Sequence, residues 1–108
     1  MNKTEIIRKL NDSFRQTFTG GRILTTIGIR RKPVEDVSKI LSKVQHFRDF
    51  NSGNDPYAEH DFGKFAYGDD VIIWKIDYYD KKLQYHSPDA SDSSKTTRIM
   101  TIMTAEEW

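Results

Sequence analysis

The stretch Phe62-Gly63-Lys64-Phe65-Ala66-Tyr67-Gly68-Asp69-Asp70-Val71-Ile72-Ile73-Trp74-Lys75-Ile76-Asp77-Tyr78 decides the fold. Two runs rich in aromatic and β-branched residues flank Gly68-Asp69-Asp70, a short polar connection of the kind that joins antiparallel strands. The second run alternates as far as Asp80. Trp74, Ile76 and Tyr78 fall on one side, and Lys75, Asp77 and Tyr79 on the other. A hairpin with an apolar face needs a cover, and the flanking sequence supplies one.

Upstream, Pro33 suits a first helical position, and Val34, Val37, Ile40, Leu41, Val44 and Phe47 form an apolar stripe at helical spacing. Glu35 and Asp36 at one end, with Lys43 and Arg48 at the other, complement the helix dipole. A helix is expected from Pro33 to about Phe50, closed by Asn51-Ser52-Gly53. A first helix is expected from Asn2 to about Thr17, with Ile6, Ile7, Leu10 and Phe14 on one face and an Asn2/Glu5 capping box. Between the helices, Arg22 to Ile29 reads as a strand with Ile23, Thr25, Ile27 and Ile29 on one face. Downstream, Leu83 to His86 reads as a short strand, Ser87 to Ser94 as a loop, and Thr97 to Met103 as the last strand. Ala105-Glu106-Glu107-Trp108 reads as the start of a helical turn. The expectation is one α+β domain, 1–108: a mostly antiparallel sheet of about five strands with two helices packed on one face.

The chain has 108 residues, 36% hydrophobic and 31% charged, enough for one core under a polar surface. It has no cysteine, which excludes disulfide frameworks and thiol chemistry. The start shows no apolar signal segment and no stretch suits a membrane span, so the cytoplasm is the expected compartment and no membrane partner is expected. Net charge is +1, yet residues 1–50 carry 11 Lys and Arg against 5 Asp and Glu, while residues 51–108 carry 6 against 11. That balance lacks the broad basic footprint of a dedicated nucleic-acid binder.

Candidate chemistry concentrates in the polar loop Asn54 to Gly63. Glu59-His60-Asp61 places a histidine between two carboxylates, a composition suited to general acid–base work or to a metal. With Asp77 and Asp80 it would make a metal-dependent hydrolase or nuclease, Lys81 or Lys82 serving the phosphate and His86 joining the site if the strands converge. A structural reading of the same residues has Asp55-Pro56 starting a turn, and Glu59, His60 and Asp61 tying down the loop backbone. As a partner-binding surface the loop would use Asp55, Tyr57, Glu59, His60 and Phe62, with the Trp74–Asp80 strand alongside; tyrosine and other aromatics commonly anchor interfaces. Arg22, Arg30, Arg31 and Lys32 are the nucleic-acid candidates, a local basic patch without interleaved aromatics. Glycine-rich phosphate loops, nucleophile elbows and paired-histidine zinc motifs are absent, so neither cofactor nor bound metal is expected.

Asn11-Asp12-Ser13-Phe14-Arg15, Gly21-Arg22-Ile23, Asn54 to Gly63, Trp74 to Asp80, Ser87-Pro88-Asp89, Thr97 to Met103 and the terminal Ala105-Glu106-Glu107-Trp108 together resemble the bacterial family designated domain of unknown function 3768. The resemblance runs from about Asn11 to the end, and relatives more usually finish in tyrosine. It carries no assigned activity. It implies an accessory protein of bacterial chromosomes, plasmids and phage-like elements. The expectation is therefore a small protein-interaction module. Such a module would be a mobile-element-encoded inhibitor or adaptor acting on a host or phage defence protein, an anti-CRISPR candidate among them. The hydrolase or nuclease stands as the alternative.

Overall fold

The computed structural model describes residues 1–108. Helix α1 (Lys3–Thr17) leads into strand β1 (Arg22–Thr25), a single helical turn α2 (Ile27–Arg30) and helix α3 (Val34–Gln45). Strands β2 (Phe62–Tyr67), β3 (Asp70–Tyr79) and β4 (Thr97–Thr104) follow, and a 3-10 turn (Ala105–Glu107) ends the chain. No helix is long and apolar enough to cross a membrane.

The deciding hairpin forms as its composition dictates. Gly68 takes a left-handed φ of 58°, and Tyr67 pairs with Asp70 across the turn. The sheet has four strands in the order β1-β4-β3-β2. Both β2–β3 and β3–β4 are antiparallel, whereas β1 runs parallel to β4, with Ile23 opposite Met100. The α+β class stands, but the sheet is mixed and one strand short of the expected five.

The missing strand is Leu83–His86. Asp80 and Leu83 close a tight turn, with Leu83 at a left-handed φ of 58°, so only one isolated bridge, His86 to Tyr79, survives. The expected strand from Arg22 to Ile29 stops at Thr25, because the chain turns into α2 to receive a carboxylate. The Glu107 side chain accepts from Gly28 N at 2.9 Å and from Thr26 Oγ1 at 2.6 Å. A Cβ on Gly28 would collide with that carboxylate. A third short helix therefore joins the expected two. Helix α3 also ends earlier than expected: the His46 ring hydrogen-bonds back to Ser42 O at 2.8 Å, and Phe47 leaves the helical path to enter the core.

Register places Ile23, Phe65, Ile72, Trp74, Ile76, Tyr78, Met100 and Ile102 on one face of the sheet. On that face Phe14 from α1, Ile29 from α2, and Ile40 and Val44 from α3 complete a single core. Trp74 is fully buried at its centre, with Phe47 and Phe50 edge-on to its ring at 5.5 and 6.1 Å. Gly63 lies directly over Trp74 and Phe47, where any Cβ would clash. The far face carries exposed Leu24 and Val71, with the terminal Trp108 edge-on to Phe62 at 5.7 Å.

Candidate functional site

The loop from Asn51 to Asp61 runs from the end of α3 back to β2 and lies against α1. Helical periodicity puts Asn11 and Arg15 one turn apart on the buried side of α1, with Asp12 at its margin. All three reach the loop or the residue that leads into it.

Asn11, fully buried, donates to Glu59 O at 3.0 Å and to Tyr78 Oη at 2.7 Å, and its Oδ1 accepts from Arg98 Nε at 2.8 Å. Tyr78 in turn donates to Glu59 Oε1 at 2.7 Å. No buried side-chain atom of this interior chain lacks a partner, so it fixes the loop without orphaned dipoles. Burial and the Glu59 acceptor push the Tyr78 phenol well above its usual range, and burial lowers Arg98. The phenol does not titrate near neutrality.

Asp55, buried, accepts from Glu59 N and His60 N, both at 3.1 Å. These bonds hold Ala58 and His60 at φ of 56° and 55°, a left-handed conformation that costs a side-chain-bearing residue about 1–2 kcal/mol. His60 Nδ1 lies 2.8 Å from Asp12 Oδ1, its Nε2 lies 3.6 Å from Asp55 Oδ2, and its ring stacks on Phe50 at 3.8 Å. Both imidazole nitrogens thus face carboxylates inside the fold. The histidine is a clasp between loop and helix, held at Nδ1 by Asp12, with Nε2 beyond hydrogen-bond distance of Asp55.

The remaining candidates divide. Asp61 sits where burial, then Glu59, then Asp55 and Asp77 all raise its carboxyl above the ordinary value. Asp77 points to the far face and pairs with Lys75 at 2.8 Å, while Asp80 caps its own turn by accepting from Gln84 N at 3.0 Å. No three His, Asp or Glu side chains converge as metal ligands would. Among the partner-binding candidates, Asp55 and Glu59 are engaged internally and Phe62 lies on the far face. Only Tyr57, 76% exposed, projects from the loop. The neighbouring strand does lie beside the loop, since Ile76 N donates to Asp61 O at 2.8 Å, but its tryptophan is interior and adds nothing to an exposed patch. Arg30 and Lys32 border a shallow groove with Val34 and Leu41, Lys32 paired with Asp70, while Arg22 stands at the far end of β1.

Beside the clasp opens a cleft of about 650 Å³, lined among others by Asp12, Arg15, Gln45, His46, Arg48 and His60. Asp12, Arg15 and the network residues Asn11 and Arg98 carried no functional role in the sequence reading. The available signal was Asn11, a polar residue one turn from Ile7 and at the margin of the α1 stripe.

With this geometry in place, comparison with known proteins adds one result. A family model, described as a protein of unknown function (DUF3768), matches residues 25–107. The chain belongs to the DUF3768 family. The match begins at Thr25, the last residue of β1, and runs into the terminal turn, so α1, with its Asn11, Asp12 and Arg15, and most of β1 lie outside it. No curated protein and no solved structure matches the chain.

Proposed function

We propose that this DUF3768 chain is a cytoplasmic protein-binding module whose contact residue is Tyr57. On this reading it acts as a mobile-element inhibitor or adaptor of a defence protein, for which an anti-CRISPR activity is one form. The supporting observation is a contrast within a single loop. Its backbone is held by α1, through Arg8 Nη1 on Ala58 O at 3.1 Å and Asn11 on Glu59 O, and its His60 ring by Asp12, yet the loop offers Tyr57 to solvent. Left-handed backbone kept at non-glycine residues by surrounding bonds marks a segment whose shape is maintained at some cost. A pre-ordered loop loses little entropy on binding, and a tyrosine brings large area with few rotamers.

The hydrolase alternative would need Glu59, His60, Asp61, Asp77 and Asp80 to act on one substrate, and against it Glu59 accepts from Tyr78, Asp77 pairs with Lys75 and Asp80 caps its own turn. A pull-down from bacterial host lysate tests the binding reading. The wild-type chain should retain one stoichiometric protein, and Tyr57→Ala should lose it with thermal stability unchanged. Equal capture by both would reject the assignment.

A further inference from the structure

The sheet has two edges, and they differ. β1 is four residues long and turns into α2. β2 runs for six residues, Phe62–Tyr67, with only β3 beside it. Ile76 N donates to Asp61 O, so the hydrogen-bonded pairs of the β2–β3 ladder continue at Gly63, Phe65 and Tyr67. The N–H and C=O groups of Phe62, Lys64 and Ala66 therefore point away from β3, and no other backbone segment hydrogen-bonds to them. Such a row of unused donors and acceptors is a template for a further strand.

Beside this edge, between β2 and the end of α3, lies a groove of about 450 Å³ lined by Lys43, His46, Phe47, Asp49, Lys64 and Phe65. Phe47 and Phe65 supply its apolar lining, and Lys43 and Lys64 set two cations against the one carboxylate of Asp49. The charges select the kind of strand that fits. Lys64 is the only charged residue of β2, so a second copy of the same strand would bring a lysine and no acid to the edge. An acidic strand would meet Lys43 and Lys64 with the opposite sign while its apolar side chains packed on Phe65 and Phe47.

We propose that the outer edge of β2 takes an extended, acidic peptide segment of a partner protein as a fifth strand of the sheet. Main-chain hydrogen bonds to Phe62, Lys64 and Ala66 would supply affinity, and the groove the choice of side chains. The proposal goes beyond the Tyr57 reading, because it needs no side chain of the Asn51–Asp61 loop.

The test uses the full chain and a blocked seven-residue peptide of alternating glutamate and valine, with glutamate at both ends. A control peptide carries lysine in place of each glutamate. Amide hydrogen exchange is followed by NMR, residue by residue, with and without peptide. In the free chain the amides of Lys64 and Ala66 should exchange fast and those of Gly63 and Phe65 slowly. Saturating glutamate peptide should slow Phe62, Lys64 and Ala66 about tenfold or more and leave Gly63 and Phe65 unchanged. Lys64→Glu, an exposed substitution, should weaken the glutamate peptide about fivefold or more and strengthen the lysine peptide. Tyr57→Ala should bind the glutamate peptide like the wild type, so that failure here is distinct from failure of the partner reading. Unchanged exchange at Phe62, Lys64 and Ala66, or equal binding of the two peptides, would overturn the site. Protection of the same three amides in a dimer of the chain alone would put a second copy there and overturn it too.

Discussion

Asn11 shows how one side chain sets the shape of a loop almost fifty positions away. It fills its hydrogen-bonding capacity with Glu59 O, Tyr78 Oη and Arg98 Nε, all inside the protein. Asn11→Ala strands the buried Arg98 Nε–H and takes a donor from Glu59 O and from the Tyr78 phenol, and should cost about 2–4 kcal/mol in urea denaturation. A loss below about 1 kcal/mol would mean that water replaces the amide. Asp61 has the opposite sign. Its folded-state carboxyl lies above the ordinary 3.8, through burial first and then the charges of Glu59, Asp55 and Asp77. A raised carboxyl means the fold binds the proton more tightly than the unfolded chain, so stability falls as pH rises through that range. Asp61→Asn should therefore melt higher than wild type at pH 7, the difference closing as pH drops below about 3.8, the usual aspartate value. A lower melting point at pH 7 would give the Asp61 carboxylate a stabilising partner and contradict the assignment.

At the level of elements, the hairpin was legible because its turn chemistry and alternation agree, and α1 and α3 because their stripes hold the helical period. The errors fall where a distant group overrides a local pattern. Ile27-Gly28-Ile29 alternates like a strand, but Gly28 N and Thr26 Oγ1 are held by the carboxylate of Glu107, which also accepts from Thr104 N. Those donors hold Glu107 down to about 2, with Thr26 the largest contributor. A depressed carboxylate contributes stability that is fully present above its unfolded value near 4.5 and is lost as pH falls toward 2. Glu107→Gln should thus lower the melting temperature at neutral pH, and the gap should narrow across that acidic window. A gap constant from pH 7 to 2 would show that packing, not charge, makes the contact. The same carboxylate explains why Gly28 has no room for a methyl group, so Gly28→Ala should perturb the β1–α2 corner and leave the β2–β3 hairpin unmoved in amide spectra.

Across the whole molecule, the candidate site was half visible. The Asn54–Gly63 loop stands out by composition, but its partners Asp12 and Arg15 come from the first helix, and only the packing of α1 against α3 and the loop brings them together. The charge asymmetry acquires a meaning of the same kind. The cationic half of the sequence supplies α1, α2 and α3, whereas the acidic residues of the anionic half lie mostly in its loops and terminal turn, with only Asp70 and Asp77 in its strands. Lys3–Asp89 at 3.4 Å and the Lys32–Asp70 pair join the two halves of the sequence. Each exposed pair is worth at most about 1 kcal/mol, but the general attraction between the two halves adds to them and is screened by salt. The melting temperature should accordingly fall by about 2–5 °C as sodium chloride rises from about 10 to 300 mM, before any salting-out gain sets in. Lys3→Ala combined with Lys32→Ala should flatten that dependence. A melting temperature that rises steadily over the same range would mean that repulsion within each half outweighs attraction between them, and the charge asymmetry would then oppose folding.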